Sequence, residues 1–234
     1  MLVSIDRLTI DVALAALCIG FVLFSETDRS WPLYGAVLGA TLVRETGFLL
    51  LAGCVGALIL ERRFVRAAVY ATAAAPAAVW YWYVSLHTTS VHVAWFSALP
   101  FAGYVWRVLH PFPYPFAWPV AWAATVLDYT ALSGFALAFG LGLRLLFRKN
   151  RSPNAIAVYG FMALMAMLGS PDVWAEVYGF GRTLTPLLLL LALASMVNRR
   201  LVWAMPLLLV TPRIALQYAP LAYHVATGIF QHPR

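Results

Sequence analysis

Residues 31–60 read Trp31-Pro-Leu-Tyr-Gly-Ala-Val-Leu-Gly-Ala-Thr-Leu-Val-Arg44-Glu45-Thr-Gly47-Phe-Leu-Leu-Leu-Ala-Gly-Cys-Val-Gly-Ala-Leu-Ile-Leu60. As one helix this stretch would be about 45 Å long, against a bilayer hydrocarbon core of roughly 30 Å. Arg44 and Glu45 would then lie near its middle, where two charges cost several kcal/mol. Gly47, directly after Arg44-Glu45-Thr46, marks a break. The stretch is therefore expected to fold as two short helices meeting at a polar turn, which is tolerated at membrane depth only when buried in protein or lining a cavity. A single tilted helix is the alternative, and it would move Asp6 and Asp11 to the opposite side.

The rest of the chain has the same character. It is 63% hydrophobic and 11% charged over 234 residues, with a mean hydropathy of +0.81. A soluble domain typically carries about 25% charged residues, so that class is excluded. Apolar runs fall at about 12–24, 31–43, 47–60, 67–86, 118–146, 155–169, 183–197 and 201–219. They are continuous rather than alternating, which excludes a β-barrel. The expected fold is all-α: a polytopic transmembrane bundle of about seven or eight helices, with the broken pair near 44–47. Residues 1–234 form a single transmembrane domain with no room for a folded extramembrane part. Met1 to Arg7 lacks a cationic leader before a cleavable apolar stretch. The polar patch Ser4–Asp11 leads straight into a run, so the chain is expected to lack N-terminal helices of a longer relative.

The net charge is +7, but its basic residues cluster between runs, at Glu61-Arg-Arg-Phe-Val-Arg66, Arg148-Lys-Asn-Arg151 and Asn198-Arg-Arg200. That is where orientation signals belong, so nucleic acid is not the expected partner and the lipid bilayer is. An even number of crossings separates each cluster from the next, putting all three on the cytoplasmic side of a bacterial inner membrane. The outer side then receives 86–117, 170–182, the 44–47 turn and the chain start. Cys18 and Cys54 lie inside runs, where thiols act as small hydrophobes, so neither a disulfide nor a metal is expected. No other cofactor is expected.

Membrane-edge charges are functional candidates because they are expensive unless paired or hydrated. Arg44 beside a helix break has the fork geometry to grip a phosphate, with Glu45 orienting it. The alternative is a structural ion pair joining the half-helices. Asp6 and Asp11 are candidate general bases, or else helix-capping residues. Asp128, inside the 118–146 run, either pairs with an arginine of another helix or lines a cavity. Arg182 and Arg213 are placed to hold a lipid phosphate, or simply to touch headgroups. His87 and His92 are spaced five apart, which suits no helical metal site. The segment Leu109-His-Pro-Phe-Pro-Tyr-Pro-Phe-Ala-Trp-Pro119 cannot be a helix and is expected to lie extended, as an interfacial belt or as a groove for a prenyl tail or sugar. Gly35-Ala-Val-Leu-Gly39 fits close helix packing.

Three quoted motifs together resemble a family. Asp6-Arg-Leu-Thr-Ile-Asp11 leading into a helix, Leu42-Val-Arg-Glu-Thr-Gly47 opening a run that ends in Glu61-Arg-Arg, and Tyr178-Gly-Phe-Gly-Arg182 with Thr183-Leu-Thr-Pro186 are similar to bacterial polytopic glycosyltransferases of the GT-C type. The resemblance implies a membrane hexosyltransferase, or its C-terminal part, moving a sugar from a polyprenyl-phosphate donor to a glycan or lipid acceptor of the cell envelope on the periplasmic face. It further implies Asp6 or Asp11 as catalytic base, and Arg44, Glu45, Arg182 and Arg213 at the phosphate. Relatives place the catalytic acid after a first membrane helix that this chain lacks. The competing readings are a transporter or flippase-like protein for an anionic substrate, which would often show two related halves with paired breaks, and a non-catalytic membrane subunit.

Overall fold

In the computed structural model, the break falls at the charged pair. The first helix of the pair ends at Val43, Arg44 is extended (φ −161°, ψ 151°), Glu45–Gly47 form one 3-10 turn, and the second helix starts at Phe48. Gly47 is required by close approach rather than by its backbone angles: a Cβ there would lie 1.9 Å from the Ala40 carbonyl oxygen. The structure describes residues 2–89, 95–115, 117–175 and 177–216, and side chains among these outside 2–9, 177 and 178.

The described elements are α1 (Leu2–Glu26), α2 (Ser30–Val43), α3 (Phe48–Leu60), α4 (Phe64–Ala71), α5 (Ala75–His87), α6 (Ala102–Leu109), α7 (Trp118–Phe147), α8 (Pro153–Met167), α9 (Pro171–Ala175), α10 (Val177–Asn198) and α11 (Leu201–Leu216), whose first turn is 3-10. No strand forms among the described residues; Phe96 and Leu168 make one isolated bridge. The all-α expectation stands. Two helices, Trp118–Phe147 and Gly179–Asn198, are long and apolar enough to cross a membrane.

The apolar run at 67–86 is kinked rather than straight. Pro76 lacks an N–H and its ring crowds the carbonyl four residues back, so α4 and α5 are separated by a 3-10 turn at Thr72–Ala74. Thr41, buried in α2, donates to the loosened Ala73 carbonyl at 3.1 Å. The helix expected at 183–197 begins earlier, at Val177, so Arg182 stands on a helix rather than in a loop. The short helix α6 was not legible as an apolar run.

At the core, α10 is apolar on most sides and buried accordingly: Leu184, Leu187, Leu188, Leu190 and Leu191 are inaccessible to solvent. Phe180 at its start stacks on Trp174 of α9, with centroids 5.0 Å apart, and meets Phe135 of α7 edge-on at 5.5 Å. Close helix packing falls at one member of the Gly35/Gly39 pair. Gly35 faces open space and only Gly39 abuts a neighbour, Leu17. The tight seam joins α3 to α8, where a Cβ on Gly53 would lie 2.7 Å from the Pro153 carbonyl oxygen.

Helices α1, α3, α7 and α10 all end the same way. In each, a backbone N–H reaches back five residues: Arg29 to Phe24, Arg63 to Leu58, Asn150 to Leu145 and Arg200 to Ser195, at 2.8–3.2 Å. This is the Schellman closure, whose left-handed residue is usually glycine. Here it is Asp28, Arg62, Lys149 and Arg199, with φ of 49–59°. Two cavities show that these ends lie together. One is lined by residues of 26, 145–155 and 194–203, the other by residues of 25–33, 54–70 and Pro153. The three basic clusters therefore share one end of the molecule.

Candidate functional site

At the far end of the bundle, three helices bring three charged residues to one point. Asp11 lies 15 residues before the end of α1, Arg44 follows the 14 residues of α2, and Arg182 lies 16 residues before the end of α10. At 1.5 Å per residue, all three stand about 21 to 24 Å above the basic end. Arg44 Nη1 donates to Asp11 Oδ1 at 3.0 Å. Arg182 Nε spans the same carboxylate, 2.9 Å from Oδ1 and 2.8 Å from Oδ2.

Pro186 explains why Arg44 is held so firmly. A proline has no N–H, so the carbonyl four residues back, that of Arg182, loses its helical donor. Arg44 Nη1 supplies one at 3.3 Å, while its Nη2 reaches Thr183 Oγ1 at 3.4 Å. The helix break that frees Arg44 from α2 and the proline that frees a carbonyl in α10 thus meet across one guanidinium.

The cluster is half-sheltered rather than sealed. The side chains of Asp11, Arg44 and Arg182 retain 26%, 16% and 19% of their accessibility. Two guanidiniums, from Arg44 and Arg182, meet the Asp11 carboxylate here, joining three helices at one charged point. Of the other expected site residues, Glu45 is exposed beside the turn. Asp6 lies on α1, with its side chain outside the described residues. His92 falls outside them altogether, and His87 is exposed at the end of α5, its Nδ1 2.8 Å from the Tyr83 carbonyl. Among the described residues no group of histidine, cysteine and carboxylate side chains is arranged to hold a metal.

Arg213 is placed differently from its expected role at a lipid phosphate. It belongs to a second, buried cluster around Asp128, which is 2% exposed. Asp128 Oδ1 accepts from Arg213 Nε at 2.6 Å, and Oδ2 from Arg107 Nη2 at 2.5 Å and Tyr114 Oη at 2.6 Å. Arg213 Nη2 also donates to Tyr114 Oη at 2.8 Å. Burial, and then the Asp128 hydrogen bond, push the Tyr114 phenol above its ordinary value. Of the two options left open for Asp128, pairing is the one observed, and with two arginines rather than one. This cluster ties α6, α7, α11 and the extended segment 110–115 together.

Sequence reasoning missed Tyr114 and the pairing of Arg107. The proline-aromatic segment gave no sign that one of its rings turns inward to a carboxylate. A further feature it missed is the larger cavity at the basic end, about 360 Å³ in volume. No protein-family model, curated protein or solved structure matches the chain.

Proposed function

We propose that the protein is a multi-pass membrane glycosyltransferase of the polyprenyl-phosphate-dependent type, or the C-terminal part of one, with Asp11, Arg44 and Arg182 at its reacting centre. The observation that carries the reading is the convergence of these three residues, 33 to 171 positions apart in the chain, on one half-sheltered point. Membrane placement is supported by composition and by the character of the exposed side chains. Trp31, Val65, Phe147 and Leu201 are each more than 80% exposed, which suits contact with lipid rather than water.

In this reading Asp11 occupies the anion position until the donor arrives. The sugar phosphate takes the two guanidiniums bidentately, and the displaced carboxylate becomes free to accept a proton. It deprotonates the acceptor hydroxyl, whose oxygen attacks the anomeric carbon from the face opposite the phosphate. The bond from anomeric carbon to phosphate oxygen breaks, its electron pair leaves on the phosphate, and Arg44 and Arg182 neutralise the charge that develops there. The configuration at carbon inverts. Glu45, exposed at the turn, is available to the acceptor side.

The test is binding of a polyprenyl-phosphate-linked hexose to the purified protein in nanodiscs. Arg44→Ala and Arg182→Ala are each expected to weaken binding by about tenfold or more, equivalent to about 1.4 kcal/mol. Asp11→Asn should keep binding or tighten it, because the competing carboxylate is removed, while abolishing transfer. Absent binding, or binding indifferent to both arginines, would overturn the assignment and favour a transporter or subunit role.

A further inference from the structure

The larger cavity lies at the basic end, far from the Asp11 cluster, between the ends of α1, α7 and α10 and the starts of α8 and α11. Its lining combines Arg148, Arg200, Glu26, Asn154 and Trp203. Neither arginine side chain is ion-paired or hydrogen-bonded among the described residues, although Glu26 lines the same space. Asn154 is 7% exposed. Its Nδ2 donates to the Leu190 carbonyl at 3.4 Å, and its Oδ1 has no donor. A buried acceptor left in this state is destabilising. Flipping the amide would set oxygen against the Leu190 oxygen, so the chain itself does not relieve it. The N-terminus of α8, a 15-residue helix, opens onto the same space and favours negative charge there.

From these residues we infer that the cavity is a binding site for a phosphate ester carrying hydroxyl or amine donors. The two free guanidiniums take the phosphate. The donors go to Glu26 and, directly or through a water, to Asn154 Oδ1, while buried Trp203 forms one wall. At about 360 Å³ the space sits at the lower limit of small-molecule sites, so it holds a headgroup-sized fragment. Two sources share this chemistry: the headgroup of an anionic phospholipid in the adjoining leaflet, and a soluble phosphate ester. The site does not depend on the Asp11 cluster.

The experiment uses the full chain in nanodiscs. In one arm, sn-glycerol 3-phosphate is titrated calorimetrically into protein held in phosphatidylcholine discs. In the other, lipid retained from phosphatidylglycerol discs is counted by native mass spectrometry. The double variant Arg148→Gln/Arg200→Gln alters exposed residues whose side chains hold nothing else among the described residues, so its fold is expected to persist. It should weaken binding at least tenfold in whichever arm is positive, and the positive arm names the source. Asn154→Leu should lose binding while melting no lower than wild type, because it removes an orphaned acceptor. Wild-type protein that binds neither probe, or binds as well as the double variant does, would overturn the inference.

Discussion

Replacing Asp128 with leucine takes the acceptor from three donors at once: Arg107, Arg213 and Tyr114. Both arginines stay charged in a site where Arg107 is 2% exposed and Arg213 8%. Removing one partner of a buried ion pair costs about 3–5 kcal/mol, because the remaining charge is uncompensated. Two charges are stranded here, so that range is the minimum. For a chain of this size each kcal/mol shifts Tm by about 2–4 °C, giving an expected loss of roughly 6–20 °C. The chain supplies its own reporter, since its two cysteines, Cys18 and Cys54, are both buried and free. A fluorogenic maleimide in detergent therefore labels the protein only as it unfolds. The triple variant Asp128→Leu/Arg107→Met/Arg213→Met should recover most of the loss, because an apolar replacement of a buried charge group is often neutral or better. An Asp128→Leu protein melting within about 2 °C of wild type, or a triple variant no better than the single, would refute the argument that Asp128 compensates the two buried arginines.

Gly47→Ala should abolish donor binding in the nanodisc assay with Arg44 still present, because the added carbon would sit 1.9 Å from the Ala40 carbonyl oxygen and displace the turn. Gly53→Ala, whose Cβ would lie 2.7 Å from the Pro153 oxygen and 2.8 Å from Ala157 Cβ, should lower Tm by several degrees. Gly35→Ala and Gly140→Ala, with nothing within 4 Å, should leave Tm unchanged or raise it, by up to about 1 kcal/mol of helix propensity each. The Tyr114 phenol is raised above its ordinary value near 10 in the folded state. Its contribution to stability is therefore complete below about pH 10 and is lost as pH climbs through the raised value. Tyr114→Phe should flatten the alkaline limb of a Tm-against-pH curve.

The helices were legible because their signals are local. Apolar runs, the charged pair before Gly47 and the parity of basic clusters each lie within one stretch of sequence. The structure returns helices close to those runs, with the break at Arg44 and one shared basic end. Asp11, Arg44 and Arg182 were each marked by a charge beside an apolar run, although their convergence was not readable. One clue existed: Pro186, four residues after Arg182, announces a carbonyl in need of a donor. Asp128 was visible as a lone acid, but its partners lie 21 and 85 residues away, and no spacing rule links them. Arg213 looked like a headgroup contact because an arginine near a helix end usually is one. The cavity at the basic end was illegible because it is bounded by the ends of five helices, each unremarkable alone.

The charged residues that close α1, α3, α7 and α10 bear on how such a chain would respond to selection. A side chain held at positive φ costs about 1–2 kcal/mol that glycine would not. On the membrane reading, Arg62, Lys149 and Arg199 also contribute to orientation, each being worth about 1 kcal/mol against an anionic leaflet. The two quantities are of similar size and opposite in sign at the same three positions. Directed evolution for heat resistance alone would therefore favour glycine at 62, 149 and 199. The winners would be better-folded molecules, a growing share of them inserted upside down.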